Sequence, residues 1–322
     1  MKIAYLSDLD FVGFIPEQEN NLRADISWLK TMDMFHIPFD QAVRNVNQLE
    51  QFDIVIMNYP KLHNGFMDTY IPFLFDSLKK PKKGMIQHGG YDFFMGWNME
   101  IQSKYLSLMR RSDFFITTNE DDIKKFELLA PKTPIIYFPS ELDWEIVSKL
   151  DDGSRQDRVM IGGNMSEWYA GTMSLAVAEK FDMPIVVPSM GRKYPDEETY
   201  TKTVVGTPVQ YLPYLPWSMW YTELSHCKYG VQMMPVAACG TFALACASLK
   251  IPCIGRGHLS IQKTCFPELC VDESYSNIDE KVALAKKDYV RLGEYAFQKY
   301  QENFVRPVIR ERTLKQFEAL FK

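Results

Sequence analysis

Short apolar runs alternate along this chain with stretches of helical spacing. "KIAYLSD" (Lys2 to Asp8) is apolar until it meets polar residues and Gly13, the pattern of a buried parallel strand and the loop after it. "LRADISWLKTM" puts Leu22, Ile26 and Leu29 on one side of a helix. "FDIVIMNYP" (Phe52 to Pro60) is a second strand, stopped by its proline. "DTYIPFLFDSLKK" reads as helix, and "KGMIQHGG" (Lys83 to Gly90) as a strand ending at two glycines. "SKYLSLMRRS" is helix, "DFFITTNE" strand and "DDIKKFELLA" helix, its acidic start suited to the helix dipole. "TPIIYFPSE" (Thr133 to Glu141) is a further strand.

A polar stretch with a glycine, "LDDGSRQD" (Leu150 to Asp157), has the composition of a linker, and the alternation then restarts. "RVMIGG" is strand, "TMSLAVAEKF" helix, "MPIVVPS" strand, "PVQYLPYLP" strand and turn, and "WSMWYTELSHC" helix. "KYGVQMMP" is strand, "GTFALACASLK" helix and "IPCIG" strand, before a long helical region that closes with "PVIRERTLKQFEALF". Strands alternating with helices at this spacing form parallel sheets covered on both faces. The expected fold is α/β, with two Rossmann-like, doubly wound domains facing each other across a cleft. The expected boundaries are 1–149, 150–300 and a C-terminal helix, 301–322, crossing back to the first domain.

Composition agrees with this and narrows it. The 322 residues suit two domains of roughly 100–200 residues each. Hydrophobic residues at 46% and charged residues at 24% describe a globular chain. No apolar run reaches the ~20 residues of a membrane span, and "MKIAYLSDLDF" carries acids where a signal peptide needs an apolar stretch. The expectation is a cytoplasmic protein. The six cysteines, all between Cys227 and Cys270, form no CxxC pair, so buried reduced thiols are expected rather than a zinc site. A net charge of −5 does not announce a nucleic-acid binder.

Open parallel sheets bind ligands beyond the carboxyl ends of their strands, and the unusual residues cluster there. "VMIGGNMSEW" puts Gly162, Gly163, Asn164 and Ser166 between a strand and a helix. Glycines let backbone approach a ligand, and a helix N-terminus favours an anion. "PSMGRK" adds Arg192 and Lys193, fit for phosphate. "PVAACGT" adds Gly240 and Thr241 at the start of another helix. Each loop has a plain alternative: a tight turn for the glycines, a solvated charged loop for Arg192 and Lys193. Neither GxGxxG nor GxxxxGK[ST] is present. In the first half, "IQHGGYDFF" offers His88 at a strand end and Asp92 beyond the glycines, and Asp8 and Asp10 follow the first strand.

The whole chain resembles the GT-B glycosyltransferases, through "KIAYLSD", "QHGG", "VMIGGNMSEW" and "GTFALACASLKIPCIG" in that order. Its pattern is nearest to the phage DNA β-glucosyltransferases, in which a "YFP" strand precedes the linker, here Tyr137 to Pro139. The resemblance implies a nucleotide-diphosphate sugar, a UDP-sugar, as donor. It implies that Gly163, Asn164, Ser166, Gly240 and Thr241 contact the diphosphate, with Tyr211 and Leu215 beside the base unless they are core. The catalytic base is then Asp92, as in the phage enzymes, or His88, as in other members. Asp8 and Asp10 position the acceptor. The glutamate that holds the donor ribose in the family is matched here by Ala245, a departure. No metal or other cofactor is required. The acceptor is a hydroxyl, in the narrowest form one on a modified base in DNA, with "LKKPKK" and "MRRS" meeting its phosphates in a host cytoplasm. A degenerate, binding-only member of the same fold, and a transferase acting on a glycan or small molecule, are the alternatives.

Overall fold

The computed structural model describes residues 1–15, 23–58, 69–163, 165–189 and 206–322. Two parallel six-stranded sheets organise them. The first contains β1 (Ile3–Ser7), β2 (Phe35–Pro38), β3 (Ile54–Asn58), β4 (Lys82–Ile86), β5 (Phe114–Thr117) and β6 (Ile135–Tyr137), in the order β2-β1-β3-β4-β5-β6. The second contains β7 (Gln156–Ile161), β8 (Ile185–Pro188), β9 (Val209–Leu212), β10 (Cys227–Gln232), β11 (Cys253–Arg256) and β12 (Cys270–Val271), in the order β12-β11-β10-β7-β8-β9. The α/β expectation therefore holds.

The central strands read as continuous apolar runs because both their faces are covered. Every residue of β1 and β3 is buried, and their register sets Leu6 opposite Met57. Ile56 and Ile116 point into one core, which holds Trp28 and Phe138. Val55 and Phe115 point the other way, onto Leu74, Tyr105 and Phe126.

Two strands escape the sequence pattern. β2 and β12 are short edge strands, and pairing with β1 and β11 makes them strands where their own composition does not. The C-terminal helical region is three helices, Ile278–Lys287, Tyr289–Asn303 and Arg306–Ala319. The last carries Pro307 in its first turn, where a missing N–H costs nothing. This helix lies against β6 and the helix Ala24–Met32. Gln316 exchanges two hydrogen bonds with the Tyr137 backbone, at 3.1 and 3.3 Å, and Phe317 meets Phe114 at 5.5 Å. At its start Arg306 grips Glu141 and Asp143, at 2.9 and 3.0 Å.

Strand order locates the crevices. The order in which strands are added reverses between β1 and β3 in the first sheet, and between β7 and β10 in the second. Loops leave such a switch point in opposite directions and open a crevice at the carboxyl edge.

Candidate functional site: a seam between the two sheets

In the second half, Gly162 and Gly163 follow β7 directly. The Gly162 N–H donates to the Val231 carbonyl of β10 at 2.7 Å, and Gln232 Nε2 donates to the Gly162 carbonyl at 3.2 Å. The turn is thus tied across the switch point. A Cβ on Gly162 would lie 2.5 Å from the Phe242 ring, and Gly163 has φ +133. Close packing and backbone geometry require both glycines before any ligand is considered. The chain then makes a short 3-10 turn, Glu167–Tyr169, and passes Ala170 in the left-handed region before the helix Gly171–Glu179. Ser166 is half-buried just ahead of that turn.

After β10 the chain runs through Met233 to Cys239 and enters the helix Thr241–Ser248 at Gly240, which has φ +65. Gly240 is buried and Thr241 half-buried. Phe242 to Ser248 are all buried, so this helix is core from its second residue onward. Ala245 has no exposed surface, and a glutamate there would put a carboxylate into a helix sealed on every side. Tyr211 lies on β9 itself and Leu215 in the loop beyond it; both are half-buried and pack against the core that also holds Trp28 and Phe138. Asn164, Arg192 and Lys193 lie outside the described residues, as does His63.

The first half meets this loop edge to edge. The Gly90 N–H donates to the Ala237 carbonyl at 2.7 Å, and the Cys239 thiol to the His88 carbonyl at 3.2 Å. A Cβ on Gly90 would stand 2.7 Å from the Ala237 Cβ, so only glycine permits this approach. His88 is half-buried after β4, its Nε2 3.0 Å from Asn58 Nδ2 at the end of β3, and Trp28 sets an edge-on ring 5.0 Å away. Asp92 is half-exposed in the first turn of the short helix Tyr91–Met95. Beside it, buried Asp122 accepts the Tyr91 N–H at 2.9 Å and pairs with Lys125 at 2.8 Å. Asp8 and Asp10 are exposed after β1; Asp8 lies 3.5 Å from Arg23.

Three residues that carried no sequence signal belong to the seam. Asn119, after β5, donates to the His258 carbonyl at 3.2 Å and accepts from the Ser260 N–H at 2.8 Å. His258 follows β11. Burial first, then the charge of Arg256, pushes its pKa down, while the Val236 carbonyl, Asp92 and Asp122 pull the other way. Asn119 and His258 each lie just beyond a strand, and Ser260 opens the helix Ser260–Cys265 that comes after β11. His36 is different. It is wholly buried between Ser7 Oγ, 2.8 Å away, and the Phe11 carbonyl, and it ties the β1 loop to β2.

The basic stretches lie elsewhere. Lys82 begins β4, at the opposite end of the sheet from His88. Lys82 pairs with Asp113 and Arg111 with Asp76, and Lys83 Nζ caps the Phe75 and Leu78 carbonyls. Among the described residues no helix is long and apolar enough to cross a membrane, and no three His, Cys, Asp or Glu side chains group as metal ligands would. The six cysteines are unpaired thiols, five of them buried.

No protein-family model matches the chain, and no curated protein matches its sequence. Solved structures match its fold. Anabaena HepE in complex with UDP aligns over 99% of this chain and 100% of its own, with a TM-score of 0.70 at 11% identity. An alpha-glucosyltransferase in complex with UDP and a 13-mer DNA containing a HMU base aligns over 100% of both chains, with a TM-score of 0.63 at 14% identity. The trehalose-6-phosphate synthase OtsA aligns over 92% of this chain and 77% of its own, with a TM-score of 0.67 at 10% identity. The chain has the GT-B fold, as the sequence resemblance implied.

Proposed function

We propose that the chain transfers a sugar from a nucleoside-diphosphate donor, a UDP-sugar, to an acceptor hydroxyl. The observation that carries this reading is the meeting of the loops at the β7/β10 switch point with the loop after β4 across one seam. The glycine turn at β7/β10 and the start of the helix Thr241–Ser248 lie on one side, and His88 and Asp92 on the other, joined by the Gly90 to Ala237 hydrogen bond. The likeness to HepE bound to UDP and glucose, at a TM-score of 0.68, supports it.

In this reading Gly162, Gly163, Asn164, Ser166, Gly240 and Thr241 cradle the diphosphate, and Arg192 and Lys193 balance its charge. Tyr211 and Leu215 face the base. Asp92 takes the acceptor proton as the hydroxyl oxygen attacks the anomeric carbon. His88, its Nε2 engaged by Asn58, orients a substrate hydroxyl. Asp8 and Asp10 line the acceptor side. A hydroxymethylated base in DNA is the narrower form of the proposal. The DNA-bound neighbour favours it, and the position of the two basic stretches, at the far end of the sheet and paired with Asp76 and Asp113, speaks against it.

The test is a thermal-shift series with UDP, GDP, ADP, dTDP and CDP. A ligand that binds only the native state raises the melting temperature. UDP is expected to do so, and a Ser166→Ala variant to show a smaller shift. A well-folded protein that responds to none of the five overturns the reading.

A further inference from the structure

Each of two glycine pairs beside the seam is followed by an aromatic on a short helical turn. Gly89 and Gly90 lead into Tyr91–Met95, which carries Phe93; Gly162 and Gly163 lead toward Glu167–Tyr169, which carries Trp168. The Phe93 and Trp168 rings meet at 5.3 Å, tilted by 51°. This contact links the carboxyl edges of the two sheets. Phe93 is held from behind, since a Cβ on Gly89 would stand 2.6 Å from its ring, and Gly163 lies against Tyr169, the residue after Trp168. Trp97 supports Phe93 from the other side at 5.5 Å. Trp168 nevertheless keeps 45% of its surface exposed, unusual for so large an apolar side chain and a sign of a rim rather than a core.

We propose that Phe93 and Trp168 form an aromatic clasp over the mouth of the crevice that decides whether the donor sugar passes to the acceptor or to water. The inference rests on the glycosyl-transfer reading above. In transfer, the acceptor oxygen bonds to the anomeric carbon as the bond to the diphosphate breaks. The bonding electrons leave with the diphosphate, and the acceptor proton passes to Asp92. Water can enter the same step in place of the acceptor, giving free sugar and the same diphosphate. Asp92 directly precedes Phe93, so the clasp closes beside the base. A closed apolar rim keeps bulk water from the donor until an acceptor displaces it.

The experiment follows UDP release from UDP-glucose by the full chain with no acceptor present, beside the affinity for UDP. Trp168→Ala is expected to raise this hydrolysis about tenfold, the effect of roughly 1.4 kcal/mol on the barrier. UDP affinity is expected to change less than about twofold, and Trp168→Phe to keep the low rate. A second measurement needs no turnover: Phe93→Ala and Trp168→Ala each lower the melting temperature, and the double variant lowers it by less than their sum. Hydrolysis unchanged or reduced in Trp168→Ala, or undetectable in every variant while UDP binds, overturns the proposal; so do additive melting shifts. Absence of UDP binding in the wild-type chain instead overturns the reading beneath it, and the double-variant comparison still reports on the clasp.

Discussion

Asn119 and Ser260 join the two halves through a single carboxamide oxygen: Asn119 Oδ1 accepts the Ser260 N–H at 2.8 Å and the Ser260 hydroxyl as well. The same hydroxyl accepts the Glu120 N–H at 2.7 Å. With Lys263 on Asp121 at 3.0 Å, this gives the seam a polar edge beside the Gly90 to Ala237 bond. Both residues are buried, so removing one leaves its partner without water to replace it.

Asn119→Ala is therefore expected to cost about 1–3 kcal/mol of stability, the penalty of an orphaned buried polar group. Ser260→Ala should cost a similar amount, and the pair of changes less than the sum. Urea denaturation of the two single variants and the double variant checks this; full additivity would mean the residues act separately.

Gly163 and Gly153 both have positive φ, +133 and +76, but only Gly163 has neighbours in the way. Gly153→Ala should cost about 1 kcal/mol, the backbone penalty alone. Gly163→Ala should cost more and also remove the UDP thermal shift, because Tyr169 must move. Melting curves with and without UDP separate the two.

Asp92→Asn removes the proposed base without removing the donor cradle. Turnover of UDP-glucose should fall by about 10²–10⁴, the usual worth of general-base catalysis, while the UDP thermal shift persists. Retention of full activity would transfer the role elsewhere, with His88 the next residue to replace.

Glu141 is 4% exposed, and burial lifts its carboxyl pKa against the opposing pull of Arg306. A folded pKa above the unfolded one means that the native state holds the proton more tightly. Stability from this group is then full below the ordinary glutamate range and falls as pH rises through the raised value. Arg306→Met should cost about 3–5 kcal/mol at pH 7 by stranding the carboxylate, and less at pH 4. Denaturation across that range tests it, and Glu141→Gln should flatten the added slope.

His36 works in the opposite direction. Burial depresses its pKa, with the Phe11 carbonyl opposing. Its contribution is present above the ordinary histidine value and is lost as pH falls through the lowered folded value. Melting temperature should drop on acidification toward pH 5, and His36→Gln, which forgoes the titration, should show a smaller drop from its own lower starting point.

Much of this protein is legible one residue after another. β1, β3 and β5 announce themselves because a strand covered on both faces is apolar almost throughout, a local property of the chain. The alternation with helices forces parallel sheets, and the glycines at 162 and 163 mark a turn. The short edge strands β2 and β12 were not legible, since their pairing partners, not their residues, make them strands.

The site divides in the same way. Gly162, Gly163, His88 and Asp92 could be picked from the sequence because each follows a recognisable strand. Asn58, Asn119, His258 and Trp168 could not: an asparagine or a histidine after a strand is ordinary until something stands opposite it. Asn119 and Ser260 are 141 positions apart, and Glu141 and Arg306 are 165 apart. Apolar period and turn chemistry act between near neighbours and write the elements into the chain. The seam, the clasp and the placing of the basic stretches at the far end of the first sheet depend on how finished elements pack, and only the tertiary structure decides that.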